Sequence, residues 1–335
     1  MVNKKISIII PMRNEEKYIE NCLNSIFSSD YPLDLIEILI INSMSNDDSV
    51  NIVQKYIEKH DFVFLYHNPQ IYTPFAFNLG VTKATGDYIF IISAHCQYAK
   101  NYFSTLVKYA IKLKADSVGA ISKTEVLNKN SKSNSIKEVL SHRLGVGNSY
   151  FRIGTDKIME VDAISGCYDK KVFEKLGFYN EKLIRNQDIE LNKRIKNSGG
   201  KLFLIPFTSY AYYARENFRD LAKNNFDNGK WNILTAYYTK TLNSLSWRHF
   251  VPLLFLLSLI LPLLLAVVSL KFAYLSLFSL FSYLALVIII SLTLKKKSNS
   301  FFYLVSSFST LHFSYGFGSL VGVFSIIKKY IKGDK

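Results

Sequence analysis

Two carboxylates stand two residues apart in Asn186-Gln187-Asp188-Ile189-Glu190-Leu191-Asn192. The stretch follows core-type positions (Val172, Phe173, Leu176, Phe178) and continues at helical spacing through Lys193, Arg194 and Ile195 to Gly199-Gly200. This spacing does not put both carboxylates on one helix face, so one can project into a cleft while the other serves the first turn or the backbone. The positive end of a helix dipole keeps such a group ionised, and an ionised carboxylate in a cleft is what a general base requires. On the local pattern alone, a charged and capped helix start is the plainer reading. The surroundings supplied by the rest of the chain decide between them.

The elements that must position these residues come first in the chain. Ile6 to Ile10 is a short β-branched run ending at Pro11, which predicts a buried, parallel strand. The loop Pro11-Met12-Arg13-Asn14-Glu15-Glu16 follows, and Ile19, Cys22, Leu23 and Ile26 then repeat at helical spacing. Ile36 to Ile41, the polar loop Asn42 to Asp48, and Val50, Val53 and Ile57 repeat the plan. Phe62 to Tyr66 reads as a third strand, Pro74 to Ala84 as a helix, and Tyr88 to Ile92 as a strand entered through Gly86-Asp87. Alternating strands and helices predict a mostly parallel α/β sheet with helices on both faces. In such sheets ligands sit outside the carboxyl ends of the strands. The loops after Ile10, Ile41 and Ile92 (Ser93-Ala94-His95-Cys96) therefore converge on one cleft. Phe103 to Leu113 reads as a helix, Asp116 to Ile121 as a strand, Asn128 to Ser135 as a mobile polar loop, and Gly145 to Asn148 as a further loop. Lys201 to Pro206 reads as a last short strand and Arg215 to Trp231 as a helix of mixed charge.

The last quarter of the chain changes character. Val251 to Leu270 and Phe272 to Leu294 are nearly unbroken apolar runs, each of about the 20 residues that cross a bilayer as a helix. Phe301 to Ile327 is a third apolar stretch, diluted by Ser, Gly and His. Residues 1–240 are thus expected to form a cytoplasmic domain and 241–335 a membrane region with spans near 251–270 and 272–294. No secretory leader is evident before Lys5, so everything before about residue 245 is expected to stay in the cytoplasm. Trp247 beside Arg248 suits a membrane interface, and Lys295-Lys296-Lys297 should lie on the cytoplasmic side. A single crossing by the third stretch would put Lys328, Lys329 and Lys332 outside, against that rule. A re-entrant or interfacial segment broken at Gly316, Gly318 and Gly322 resolves the conflict, and a third span stays open beside it. The net charge of +15 over 335 residues then points to anionic lipid and phosphate-bearing substrates. No nucleic-acid module is visible. Cys22, Cys96 and Cys167 show neither a disulfide framework nor metal-ligand spacing.

The ordered set of these segments resembles glycosyltransferase family 2, across nearly the whole chain. The strand leading into Pro11-Met12-Arg13-Asn14-Glu15-Glu16 looks like its opening. Glu37 to Asp47 resembles its second strand and Asp-rich nucleotide loop. Phe77-Asn78-Leu79-Gly80 with Gly86-Asp87-Tyr88-Ile89 resembles the approach to its metal-binding Asp-x-Asp. The Asn-Gln-Asp stretch resembles the segment holding its catalytic base. Gly229-Lys230-Trp231 and His312-x-x-Tyr315-Gly316-x-Gly318 look like the succinoglycan-biosynthesis-type, membrane-attached subgroup.

The resemblance implies the GT-A fold, a Rossmann-like sheet, with C-terminal transmembrane helices. It implies transfer of a sugar from a nucleotide-sugar, with a lean toward a UDP-linked one, to a hydroxyl of a lipid-linked or polysaccharide acceptor. The anomeric carbon would invert. Asp188 would remove the acceptor proton; Glu190 and Asn186 would orient groups nearby; Gln187 would touch acceptor or diphosphate. Pro11, Arg13, Asn14, Glu15, Asn42, Ser45, Asn78, Ser93 and Ala94 would form the nucleotide-sugar site. Arg215 and Lys230 would meet the leaving diphosphate and Trp231 would cover the acceptor. Taken singly, Glu15 is also a first-turn helix residue, Asn78 a buried polar contact, Arg215 and Lys230 solvated charges, and Trp231 an interface anchor.

Two departures stand out. The first Asp of the nucleotide loop falls on Asn42, and Asp-x-Asp becomes Ser93-Ala94-His95. His95 is an acceptable Mn2+ ligand, whereas Mg2+ prefers oxygen donors and Ser93 suits neither. A divalent metal at His95, Mn2+ or Mg2+, or Lys and Arg groups in its place, must offset the diphosphate. These departures leave a second reading, a non-catalytic scaffold subunit working with polysaccharide-assembly proteins. The survival of Asp188 and Glu190 argues against it. A processive synthase is disfavoured because Asn224 to Trp231 lacks the expected Gln-x-x-Arg-Trp pattern.

Overall fold

The computed structural model describes residues 4–241 and 245–332. The first three residues and Leu242 to Ser244, part of the expected lead-in to the membrane, lie outside the described residues. In order come β1 (Ile6–Met12), α1 (Ile19–Phe27), β2 (Ile36–Asn42), α2 (Ser49–Ile57), β3 (Val63–His67), α3 (Thr73–Lys83), β4 (Tyr88–Ile91) and β5 (Cys96–Tyr98). Then follow α4 (Tyr102–Leu113), β6 (Ser117–Glu125), α5 (Ser131–Leu140), α6 (Arg143–Val146), α7 (Tyr150–Ile153), β7 (Met159–Glu160) and β8 (Cys167–Asp169). The rest are α8 (Lys171–Leu176), α9 (Gln187–Asn197), β9 (Leu202–Tyr213), α10 (Phe218–Thr239), α11 (Val251–Leu265), α12 (Lys271–Leu294) and α13 (Phe301–Lys332). The chain divides into two compact units, Met1–Lys123 with Tyr150–Tyr213, and Thr124–Ser149 with Ala214–Lys335.

The first unit is built on the sheet order β3-β2-β1-β4-β8-β6-β9-β5. β1 pairs in parallel with β2 and with β4, and β2 with β3. The expected parallel order thus holds for the first four strands. Beyond β4 it does not: β4–β8, β6–β8, β5–β9 and β7–β9 are antiparallel. β1 is buried on both faces, which its unbroken Ile run allows. Ile6, Ile8 and Ile10 pack under α1, α2 and α4, while Ile9 packs on the opposite face with α3, α8 and α9. The expected short strand at Lys201 to Pro206 continues to Tyr213, the length needed to reach both β7 and β5.

One buried carboxylate ties the start of this sheet together. Glu37, on β2, accepts from Ser7 Oγ on β1 at 2.5 Å, from Thr85 N at 2.6 Å and from Thr85 Oγ1 at 2.9 Å. Ser7 Oγ in turn accepts from Gly86 N at 2.8 Å. A Cβ at Gly86 would meet the Ser7 backbone, so the turn into β4 is sealed against β1.

The second unit is helical. Asn128 to Ser135 is not a loop throughout: α5 begins at Ser131, and Asn130 and Ser133 form a reciprocal capping box. Polar composition hid a helix start, because the residues that cap helices are also those of loops. Val139 and Leu140 of α5 pack with Val287 of α12 and with Leu304, Phe308 and Leu311 of α13. α12 and α13 are each long and apolar enough to cross a membrane, and α11, at 15 residues, is shorter. The expected first span therefore ends early, and the third stretch is not broken. α13 is helical for 32 residues, straight through Gly316, Gly318 and Gly322. Those glycines serve helix contact: Gly316 lies against Pro252 of α11, Gly318 against Phe226 of α10, and Gly322 against Lys230 and Ile233 of α10.

Candidate active site

The strand order reverses between β1 and β4, since β2 and β3 lie to one side of β1 and β4 to the other. Chain leaving the carboxyl ends of β1 and β4 therefore borders a crevice. Glu15 from the first loop and His95 from the second meet there, His95 Nδ1 lying 3.1 Å from Glu15 Oε1. Ser93 Oγ is 3.2 Å from the same imidazole. Tyr18 and Tyr212 approach the His95 ring edge-on.

The loops after β1 and β2 hold each other by side chains aimed at backbone. Asn14, at φ 55°, accepts from Asn46 N through Oδ1 at 2.9 Å. Asn14 N donates to Ser45 Oγ at 3.1 Å, and Ser45 N to Asn42 Oδ1 at 3.0 Å. Glu15 N donates to Ser49 Oγ at 2.7 Å. Asn14, Asn42 and Ser45 thus build the wall, whereas Pro11, Arg13, Glu15, Ser93 and His95 line the cavity of about 510 Å³ inside it.

Two expected members of the site are placed elsewhere. Asn78 Nδ2 donates to Tyr179 O at 3.0 Å and its Oδ1 accepts from Tyr179 N at 2.9 Å. That two-way clip fixes the chain before α9, and the second Nδ2 proton goes to Glu181 Oε1 at 3.0 Å. Ala94 is buried in the core beneath β4.

The cavity adds residues that the sequence did not single out. Arg152, from α7, lies over the Tyr212 ring at 5.1 Å and lines the space with Tyr72, Ser165, Ile184 and Tyr210. Its only sequence signal is a cation set among Tyr150, Phe151 and Ile153. Cys96 also faces the cavity, but burial pushes its thiol up to about 12, so it stays protonated and unreactive.

The Asn186–Asn192 segment opens α9 as expected, with Asn186 left-handed at φ 62°. The face carrying Asp188 also carries Asn192, one turn on, whose Nδ2 donates to Ile164 O at 2.8 Å. That bond fixes α9 beside Ser165 of the cavity wall. Burial raises the Asp188 carboxyl above the usual aspartate range, with the N–H groups of Ile189 and Asp188 pulling the other way. Gln187 is buried, and among the described residues its Oε1 meets no donor.

Glu190 is engaged by a neighbour on its own helix. It holds Arg194 in two bonds, Oε1 from Nε at 2.8 Å and Oε2 from Nη2 at 2.9 Å. Arg194 also donates to Leu176 O at 2.6 Å and Phe178 O at 2.7 Å, so the pair anchors α9 to the end of α8. Two of the carboxylate's acceptor positions are thus taken by Arg194. Arg215, Lys230 and Trp231 belong to the second unit; Arg215 is exposed ahead of α10, and Trp231 stacks on Tyr238 within it.

The residues present suit a divalent ion only in part. Glu15 and His95 offer one oxygen and one nitrogen donor, with the Ser93 hydroxyl beside them. No group of three or more His, Cys, Asp or Glu is placed to hold a metal among the described residues. Such a pair fits Mn2+, which accepts mixed nitrogen and oxygen donors, provided substrate oxygens complete the shell.

A GT-A-like α/β fold with a crevice at its switch point defines the class, a sugar-transferring enzyme. The chain belongs to glycosyl transferase family 2, whose model matches residues 7–176. It is 29% identical over 229 residues to a dolichyl N-acetyl-alpha-D-glucosaminyl phosphate 3-beta-D-2,3-diacetamido-2,3-dideoxy-beta-D-glucuronosyltransferase of Methanococcus voltae, covering 67% of this chain and 71% of that one. It is 27% identical over 225 residues to the succinoglycan biosynthesis protein ExoA of Rhizobium meliloti, covering 67% of each. Among solved structures, the mannosyltransferase PcManGT of Pyrobaculum calidifontis, in complex with GDP-Man and Mn2+, shares the fold at a TM-score of 0.60 and 15% identity, over 97% of this chain and 88% of that one.

Proposed function

We propose that this glycosyltransferase is a membrane-attached, inverting enzyme that moves one sugar from a nucleotide-sugar, UDP-linked by preference, to a lipid-linked or polysaccharide hydroxyl at the cytoplasmic face. The observation that carries the reading is the Glu15–His95 pair at the mouth of a cavity that also holds Arg152. The donor's nucleotide and diphosphate lie in that cavity. Pro11 and Arg13 flank the nucleotide, and Arg152 meets diphosphate charge. Glu15 and His95 would hold a divalent ion there, and it would supply charge compensation to the leaving diphosphate. Glu15 and His95 would stand in for the missing Asp pair as the ion's protein ligands.

Asp188 takes the acceptor proton as the acceptor oxygen forms its bond to the anomeric carbon. The bond from that carbon to the diphosphate oxygen breaks, and the diphosphate leaves with the electron pair. One displacement inverts the centre. A modest base suffices because the proton leaves only as the new bond forms. Gln187 Oε1 accepts from an acceptor hydroxyl and orients it. α11 and α12 enter the bilayer as a hairpin and keep the enzyme beside its acceptor; the chain's likeness to a transferase acting on a dolichyl-linked sugar phosphate and to a succinoglycan biosynthesis protein supports that substrate class.

The test is thermal shift of the detergent-purified protein with a panel of UDP-, GDP- and dTDP-sugars, with and without Mn2+, since ligands of the folded state raise its midpoint. The expected result is one UDP-sugar whose shift grows with Mn2+ and loses that growth in His95→Ala and Glu15→Gln. A metal-independent shift would transfer the diphosphate to Arg152 and Arg13. No shift with any donor, with or without a lipid phosphate acceptor, would leave the non-catalytic scaffold as the better account.

A further inference from the structure

α13 passes the length and composition test for a membrane span, but its neighbour does not. α10 lies parallel to it over most of its length. Phe218 meets Tyr303 at 6.1 Å near the start, Gly229 packs against Tyr315 and Ser319, and Tyr237 meets Tyr330 at 5.7 Å near the end. The glycines at 229, 318 and 322 bring the two backbones into contact, and a Cβ at any of them would strike the facing backbone or side chain. The helices are therefore one body. The α10 segment beside residues 303–322 of α13 carries Arg219, Asp220, Lys223, Asp227 and Lys230, of which the first three are exposed. Residues 303–322 are about 30 Å of helix, the whole thickness of the hydrocarbon layer. A crossing by α13 would draw those charges through the bilayer, where exposed ionised side chains are costly.

The face of α13 turned away from α10 has a different use. Phe317, Val321, Phe324, Ile327 and Ile331 recur at helical spacing and are 46%, 38%, 60%, 47% and 81% exposed. Lys328 and Lys332 sit at the end of this stripe, and Lys329 beside them. The stripe is continuous with the apolar hairpin, since Gly316 packs on Pro252 at the start of α11. An apolar stripe ending in lysines matches the boundary of an anionic leaflet, with the side chains in the acyl region and the ammonium groups among phosphates.

We propose that α13 does not cross the membrane but lies in the plane of the anionic leaflet, apolar stripe inward, with α10 on its water side. This rests on the reading that the α11–α12 hairpin enters the bilayer. It also ends the conflict over the lysines. Lys328, Lys329 and Lys332 stay on the same side as Lys295-Lys296-Lys297.

The full chain is reconstituted in sealed vesicles of phosphatidylcholine with phosphatidylglycerol, and vesicles whose nucleotide-sugar site faces outward are selected. A membrane-impermeant maleimide is applied to Ser298→Cys and Lys332→Cys. Both are expected to label to the same extent from outside. Labelling of Ser298→Cys alone would make α13 a span and overturn the proposal. A polarity-sensitive dye on Phe324→Cys is expected to shift to the blue and to be quenched several-fold better by a nitroxide near the headgroup than by one at the bilayer centre. The opposite order, or no blue shift, would also overturn it. Protease removal of a C-terminal tag from the otherwise unsubstituted chain repeats the sidedness test without touching the helix. An alkaline carbonate wash separates the underlying reading: a chain released by it has no inserted hairpin, and the membrane attachment itself fails.

Discussion

Burial holds the Asp188 carboxyl above the ordinary aspartate range, against the pull of the N–H groups of Ile189 and Asp188. Two consequences follow at this residue. The acid limb of kcat/KM should lie above the ordinary aspartate range, because the free enzyme's base must be ionised. A carboxyl raised in the folded state contributes stability that is fully present below the unfolded aspartate value and is lost as pH rises through the folded one. Asp188→Asn should therefore lose about 10²–10⁴-fold in rate while melting no lower than the parent at pH 7. Turnover at the parent rate would remove Asp188 from the role of base. Glu37 behaves oppositely. Burial alone would raise it, but Ser7, Thr85 and Lys5 outweigh that and lower it. Its stabilisation is full above the unfolded carboxylate value and lost as pH falls through the folded one. Glu37→Gln should cost about 1–3 kcal/mol by denaturant unfolding at pH 7, and the gap to the parent should close in acid. The motifs announced Asp188, Glu15 and His95 one by one. They could not announce that Arg194 ties Glu190 to the chain leaving α8, because the carbonyls of Leu176 and Phe178 that complete that pair come from the end of α8 and the loop after it.

Strands and helices with a clear apolar period were legible: β1, β2, α1 and α2 fall where their Ile and Val spacing puts them. The meeting of the polar loops that follow β1, β2 and β4 was legible too. What failed were elements whose sequence is ambiguous between cap and loop. The start of α5 reads Asn-Lys-Asn-Ser-Lys-Ser-Asn-Ser, and its helicity depends on Asn130 accepting from Lys132 N and Ser133 N, both at 3.0 Å. Asn130→Ala should lower stability by about 1 kcal/mol, seen as a lower melting midpoint, whereas a truly mobile loop would not respond. α13 failed for another reason. Glycine was read as a helix breaker, but Gly316, Gly318 and Gly322 lie where helices touch, so contact replaces the conformational cost. The antiparallel half of the sheet was hidden because β7 and β8 have only two and three residues, too short for any period.

A boundary near residue 240 follows the change from polar to apolar chain, but contacts group the molecule otherwise. Residues 124–149 go with the C-terminal helices. Asn134 Nδ2 donates to Ser298 O at 2.9 Å, Ser300 N to Ser135 Oγ at 3.2 Å, and Lys296 Nζ to Glu138 Oε1 at 2.8 Å. Ile136 and Val139 are fully buried, and Val139 packs on α12 and α13. Removing α12 and α13 would take away the surface that covers this face. A chain cut after Lys240, the natural choice for a soluble enzyme, should therefore expose Val139, Leu140 and Leu144 together, an apolar patch of the kind that drives association. It should elute as an aggregate, or bind a hydrophobic dye that the full chain in detergent does not bind at the same site. Changing Val139 and Leu140 to polar residues in the cut chain should restore a monomer, because an exposed helix face no longer needs apolar residues. A cut chain that stays monomeric and dye-silent without those changes would show that residues 124–149 fold independently of α12 and α13. The dependence matters for function, because it makes part of the chain between β6 and α7 answer to whether α12 and α13 are in place.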